Sequence, residues 1–244
     1  MNRLIKYDLK LDRNFLRTII ILQVIFIGLS FICHGFLSTN YLTNPVFAKG
    51  IFTISILFFV IINLIYMIKN LGKDFAIKAS IFKFSLPISS NKIVWTKICE
   101  LSLFYISNAI FLSIFLWVLR FKISSDIIYF LLLGLIWMAI IGLIIYFFLQ
   151  IKRFGQGKIY RFYGVLIIIA IFLLGFFICK YFSFVIINGE LQHAGPMNYG
   201  FIFPFAIGSM GLYKNITALI YYIMALLLVT FLNKENIKNN IDLS

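Results

Sequence analysis

The stretch IFTISILFFVIINLIYMI, Ile51–Ile68, holds no charged residue. A helix of that length covers about 27 Å at 1.5 Å per residue, close to the ~30 Å hydrocarbon core of a bilayer. Lipid offers no partner for backbone N–H and C=O groups, so a stretch of this kind must be helical. Its single carboxamide is Asn63, within the run. Working outward, five more runs share this character: Thr18–Ile32 extended by Cys33–Phe36, Leu101–Leu119, Ile127–Leu149, Phe162–Cys179 and Ile216–Leu232. The expectation is an all-α polytopic membrane protein with six transmembrane helices.

Composition points the same way. Of 244 residues, 62% are hydrophobic and only 12% charged, and the mean hydropathy is +1.02. A soluble domain of this size has no core large enough to hide that surface, so lipid must serve as its solvent. The expectation is one transmembrane domain over residues 1–244. Abundant Ile, Phe, Lys, Asn and Tyr match an AT-rich genome and a bacterial source.

The net charge is +14. In a soluble chain that would imply nucleic acid. Here basic loops that orient the helices account for it, and no nucleic-acid partner is expected. With the N-terminus inside, seventeen Lys and Arg fall on the inner side. They lie before span one, between spans two and three, between spans four and five, and after span six. Only Lys49, Arg120, Lys122, Lys180 and Lys214 fall outside. Both termini are therefore expected in the cytoplasm. Leu4, Tyr7 and Leu11, with Lys6, Lys10 and Arg13 opposite, read as an N-terminal helix lying in the inner interface. The basic N-terminal stretch and the long apolar run behind it do not read as a cleavable signal. Between spans five and six, Gly189, Gly195, Pro196, Gly200 and Pro204 break an otherwise apolar segment. Re-entrant short helices at 183–211 and a plain ordered outer loop are both compatible with it.

Catalytic chemistry is sparse. His34 and His193 are the two histidines, and no HExxH, paired-Glu, GxSxG or Ser/Lys pattern occurs. Cys33, Cys99 and Cys179 are scattered and read as packing residues. Glu190 and His193 lack a third ligand for a metal. The turn GQGK, Gly155–Lys158, has neither P-loop spacing nor a following Ser or Thr, so this chain is not expected to hydrolyse ATP. A membrane enzyme is the least favoured reading. Asp and Glu are absent from the middle of the spans, which disfavours ion coupling. The polar groups there are neutral. Gln23, Asn63 and Asn108 are either hydrogen-bonded glue between helices or part of a substrate path.

One polar interruption stands apart: NLGKDFAIKASIFKFSLPISSNKIVWTKICE, from Asn70 to Glu100. Phe75, Ala79 and Phe82 share one face of a short amphipathic helix that Asp74 is placed to cap. Pro87 breaks the path and disfavours helix at Leu86. Ser89 or Ser90 is a ready N-cap for a helix leading into span three, with Lys92, Lys97 and Glu100 on its first turns. A force on the short helix would pass through this corner into span three.

The segment LPISSNKIVWTK, through Leu86, Pro87, Ile88, Ser89, Ile93, Val94 and Lys97, resembles a signature of type-2 ATP-binding-cassette (ABC) exporter permeases. Ser90 stands where that family often carries Arg or Lys. The six-span layout, the interfacial N-terminal helix and the inner loop before span three extend the likeness over nearly the whole chain. The resemblance implies a permease that dimerises with a second copy or a paralogue and binds two cytoplasmic ABC ATPase subunits. ATP and Mg would be held by those subunits, with no cofactor in this chain. It implies ATPase coupling through the 70–97 segment, with Asp74, Phe75, Lys78, Phe82, Leu86, Pro87, Ser89 and Lys97 as the residues concerned. It places the chain in a bacterial plasma membrane, exporting a hydrophobic or amphipathic cargo, with an antimicrobial or toxin peptide such as a bacteriocin, lantibiotic or phenol-soluble modulin the nearest fit. The alternatives are an ion-coupled secondary transporter and a non-transporting membrane scaffold or sensor.

Overall fold

The computed structural model describes residue 10 and residues 12–36, 45–75, 88–118, 125–153, 158–187, 189–194, 201–202, 205–208 and 211–241. Among them run six helices: α1 (Arg13–Phe36), α2 (Pro45–Asp74), α3 (Ser90–Val118), α4 (Ser125–Arg153), α5 (Lys158–Tyr181) and α6 (Ile216–Ile241). Among the described residues, four stretches are long and apolar enough to cross a bilayer: Ile54–Asp74, Ser90–Trp117, Ile127–Lys152 and Ile216–Asn239. Phe162–Ile178 is apolar but shorter. The chain is thus a mainly helical, multi-pass membrane protein.

The helices outrun the apolar windows. Pro45 opens α2, where its missing N–H costs nothing because first-turn donors are unpaired anyway. At its other end α2 continues through Lys69 and Lys73 to Asp74, since nothing in that stretch forbids helix. The α3 helix begins at Ser90, and the Ser89 carbonyl accepts from Lys92 N at 2.9 Å and Ile93 N at 3.3 Å. Ser89 thereby holds the N-cap position. The polar interruption is therefore narrower than the expected 70–97, with helix on both flanks. Asp74 is the last residue of α2, and the short helix expected after it falls on residues outside those described.

Large apolar side chains stay exposed along the helices, as Ile21, Ile61, Ile65, Ile110, Leu173 and Phe231 illustrate. In water that surface would be a liability. Against lipid it is the expected exterior. Trp95 and Trp117 are both exposed on α3. Twenty-two residues part them, about 33 Å of helix, which matches aromatic belts at the two membrane interfaces. Hydroxyls on the helices turn inward to their own backbone: Thr96 Oγ1 donates to Lys92 O at 2.7 Å and Ser113 Oγ to Ala109 O at 2.8 Å.

Two compact units divide the chain. One comprises Met1–Asn70 and Cys99–Ser124, the other Leu71–Ile98 and Ser125–Ser244. In the first, Phe26 stacks on Phe58 and Phe115 with ring centroids 4.7 and 4.9 Å apart, tying α1, α2 and α3 together. Tyr66 lies flat on Phe104 at 3.6 Å. In the second, α4 and α6 pack side by side, and Trp137 sits between Phe172 and Tyr222. The α5 helix meets α4 at Gly164, where a Cβ would come within 2.9 Å of Phe147 Cε1.

Between α5 and α6 the chain forms strands: β1 (Ser183–Ile187), β2 (Glu190–Ala194), β3 (Phe201–Ile202), β4 (Phe205–Gly208) and β5 (Gly211–Asn215). They make one antiparallel sheet in the order β2-β1-β5-β4-β3. The sequence left 183–211 open between re-entrant helices and a plain ordered outer loop; no described residue between Tyr181 and Ile216 is helical. Of the glycines and prolines that interrupt this segment, Gly195, Pro196, Gly200 and Pro204 lie outside the described residues. Gly189, with φ of 89°, turns the β1–β2 hairpin in a conformation that L side chains rarely adopt. The predicted interfacial helix falls mostly on residues 1–9, outside the described residues.

Candidate functional site

The flanks of the polar interruption are joined by charge. Lys97 Nζ lies 3.0 Å from Asp74 Oδ2, with the two side chains 0% and 2% exposed. Lys97 is seven residues into α3 and Asp74 is the last residue of α2, so one buried ion pair bolts the exit of one helix to the entry of the next. Burial of both partners is what gives such a pair consequence. A surface pair contributes little, whereas a buried charge that loses its partner is costly. Phe75, the next residue, turns back so that its N–H donates to Gly72 O at 3.2 Å. Its half-buried ring meets buried Tyr146 of α4 edge-on at 5.1 Å.

The residues expected to couple are thus partly located. Asp74 and Lys97 come together. Phe75 anchors inward on α4, and Ser89 opens α3. Lys78, Phe82, Leu86 and Pro87 lie outside the described residues. The sequence puts Lys92, Lys97 and Glu100 together on the first turns of the helix leading into span three. Lys92 is exposed, but Lys97 and Glu100 are fully buried. The helical periodicity explains the difference: Ile93, Thr96, Lys97 and Glu100 recur at the i, i+3, i+4, i+7 spacing of one buried face.

A second cluster joins three residues from three different helices, α1, α2 and α3. Gln23 Nε2 donates to Asn108 Oδ1, Asn108 Nδ2 donates to Asn63 Oδ1 at 3.1 Å, and Asn63 Nδ2 donates to its own helix at Phe59 O at 2.8 Å. All three side chains are buried. Along α3, Asn108 is about 20 Å from Trp95 and about 14 Å from Trp117, which puts it near the middle of the bilayer. The separate readings of Gln23, Asn63 and Asn108 thus become one site. A cavity of about 30 Å³ adjoins it, walled by Phe26, Phe58, Phe59, Phe111 and Phe115 and reached by Gln23 and Asn108. Every ring there is apolar, and no charged residue lines it.

Sequence reasoning missed a third cluster. Gln150 Nε2 donates to Asn233 Oδ1 at 2.9 Å, and Asn236 Nδ2 donates to Gln150 Oε1 at 2.8 Å. Asn233 Nδ2 also donates to Leu143 O and Val229 O. These residues fall just past the apolar runs, so a search confined to the spans passes them by. The available signal was Asn233 and Asn236, three apart and on one helix face. Asn215 was missed as well. Its Oδ1 accepts from Ala218 N at 3.0 Å as the N-cap of α6, its Nδ2 donates to Ser183 Oγ at 2.9 Å, and its carbonyl accepts from Tyr129. One asparagine thereby ties the sheet to α4 and α6.

No group of three or more His, Cys, Asp or Glu side chains that could hold a metal occurs among the described residues. Nothing in these clusters has the arrangement of a nucleophile with its base. What they offer is fixed connection in the ion pair and neutral hydrogen bonding in the carboxamides. The chain matches no family model, no curated protein and no solved structure.

Proposed function

We propose that the chain is the transmembrane permease subunit of an ABC exporter, in which residues 75–97 receive force from a separate ATPase subunit in the cytoplasm. The observation that carries this reading is the buried Asp74–Lys97 pair. A loop that only sets orientation needs positive charge and nothing more. A loop that transmits force needs its two ends fastened to the helices it moves, and the pair supplies that fastening at the exit of α2 and the entry of α3. The LPISS segment that resembles the exporter signature lies between the fastened ends.

In this reading both termini and the 75–97 segment face the cytoplasm of a bacterial cell. Two ATPase subunits hold ATP and Mg, a second permease copy or paralogue completes the path, and six helices span the membrane. Phe82 and Lys78 lie on the docking segment, while Phe75 holds its root against Tyr146. The cargo is a hydrophobic or amphipathic molecule, with a toxin or antimicrobial peptide as the best fit.

The test is purification of the full chain from its native membrane with its partners. An ATPase carrying a P-loop should co-purify, and its turnover should depend on this chain. Phe82→Asp should abolish that dependence while the complex stays assembled. Transport by this chain alone in liposomes, with no ATPase present, overturns the proposal in favour of an ion-coupled carrier. Cross-linking that finds regulatory partners and no ATPase favours a scaffold or sensor.

A further inference from the structure

We infer that the cavity beside Gln23 is a binding site for a neutral hydrogen-bonding group, an amide or a hydroxyl, carried on an apolar molecule. Three carboxamides used only as glue would be expected to close on one another. This chain of bonds stays open at one end. Gln23 gives one N–H to Asn108, and among the described residues its second N–H and its carbonyl oxygen take no further hydrogen bond. A carboxamide carries two donors and one oxygen with two lone pairs. The open end therefore offers a donor and an acceptor together, next to the cavity.

The cavity's size and walls restrict what fits. Its roughly 30 Å³ admits about two water-sized positions, the number of polar atoms in one amide. Five phenylalanine rings line it, suiting the carbons next to such a group, while the rest of the apolar body extends out of the half-open cavity. No charged side chain is present to balance an ion, and at mid-membrane depth an unbalanced charge is expensive. An ammonium or carboxylate is excluded on that ground, and a pure hydrocarbon would leave the Gln23 groups unused. The inference rests on the export reading only in naming the ligand as cargo. Binding itself needs this chain alone.

The test is equilibrium binding of radiolabelled octanamide to the full chain in phosphatidylcholine nanodiscs, counted against empty nanodiscs. Saturable binding is expected, competed by unlabelled octanamide and 1-octanol and not by octane, octanoate or octylammonium. The stronger of the first two competitors tells whether the site prefers an amide or a hydroxyl. Gln23→Met keeps the length and removes the hydrogen bonds, and should weaken binding about tenfold. Ile27→Phe fills the cavity from its wall with the carboxamides intact, and should do the same should Gln23→Met fold poorly. Absence of saturable binding overturns the inference. So does equal competition by octane, or unchanged affinity in both variants. Because no ATPase takes part, ATPase coupling without octanamide binding sinks this site alone. Octanamide binding without an ATPase partner sinks the export reading and leaves the site standing.

Discussion

Replacing Lys97 with Met removes one half of a buried ion pair and keeps most of the side chain's volume. At 3.0 Å and an effective dielectric of about 20, the attraction between the two charges is about 5.5 kcal/mol. Deleting one partner of a buried pair typically costs about 3–5 kcal/mol, because the remaining charge has lost its compensation. Asp74 is 2% exposed, so water cannot take over from Lys97 without local opening. Lys97→Met should therefore lower the unfolding free energy by about 3–5 kcal/mol, a factor of about 10² to 10³·⁵ in the folded-to-unfolded ratio. The double variant Asp74→Leu with Lys97→Met removes both charges of the pair and should recover part of that loss, since apolar replacement of a buried pair is often neutral, while buried Glu100, one turn along α3 from Lys97, keeps its own carboxylate. The assay is equilibrium unfolding of the chain in mixed micelles with increasing SDS, read as a double-mutant cycle. Loss of less than about 1 kcal/mol in Lys97→Met, or two single losses that simply add, would refute the fastening of α2 to α3.

Gly164→Leu should push α5 off α4, since even a Cβ at Gly164 meets Phe147 at 2.9 Å. A loss of about 1–3 kcal/mol is expected in the same assay, relieved by adding Phe147→Ala. Asn233→Leu strips Gln150 and the Leu143 carbonyl of a partner. It should cost about 1–2 kcal/mol, and a loss confined to a few tenths would demote that cluster to filler. Asn215→Ala removes the N-cap of α6 and the tie to Ser183. It should destabilise by about 1 kcal/mol and speed amide exchange across β1 and β5, while exchange in α1 and α2 stays as it was.

The membrane character of the chain was legible in residues such as Ile51–Ile68, because a spanning helix is specified by a local property: enough consecutive apolar residues to cross about 30 Å. The start of α3 at Ser89–Ser90 was legible for a similar reason, since a cap acts within a few residues of itself. Helix ends in charged stretches were not. Apolar content says where lipid begins, whereas α2 runs on to Asp74 and α6 to Ile241 because backbone hydrogen bonding continues wherever nothing stops it. The strands between α5 and α6 escaped because each is five residues or fewer, and their pairing depends on partners up to about thirty residues away.

For the sites the division is sharper. Sequence alone determined that Gln23, Asn63 and Asn108 are neutral polar groups within apolar helices, and that Asp74 and Lys97 flank a polar insert. Only the tertiary structure decided that the first three form one hydrogen-bonded chain beside a phenylalanine-walled cavity, and that the last two are buried against each other. The physical reason is distance along the chain. Helix formation is settled by neighbours within a turn or two, but Gln23 and Asn108 stand 85 positions apart, and only packing of the helices chooses which polar side chains meet out of contact with lipid.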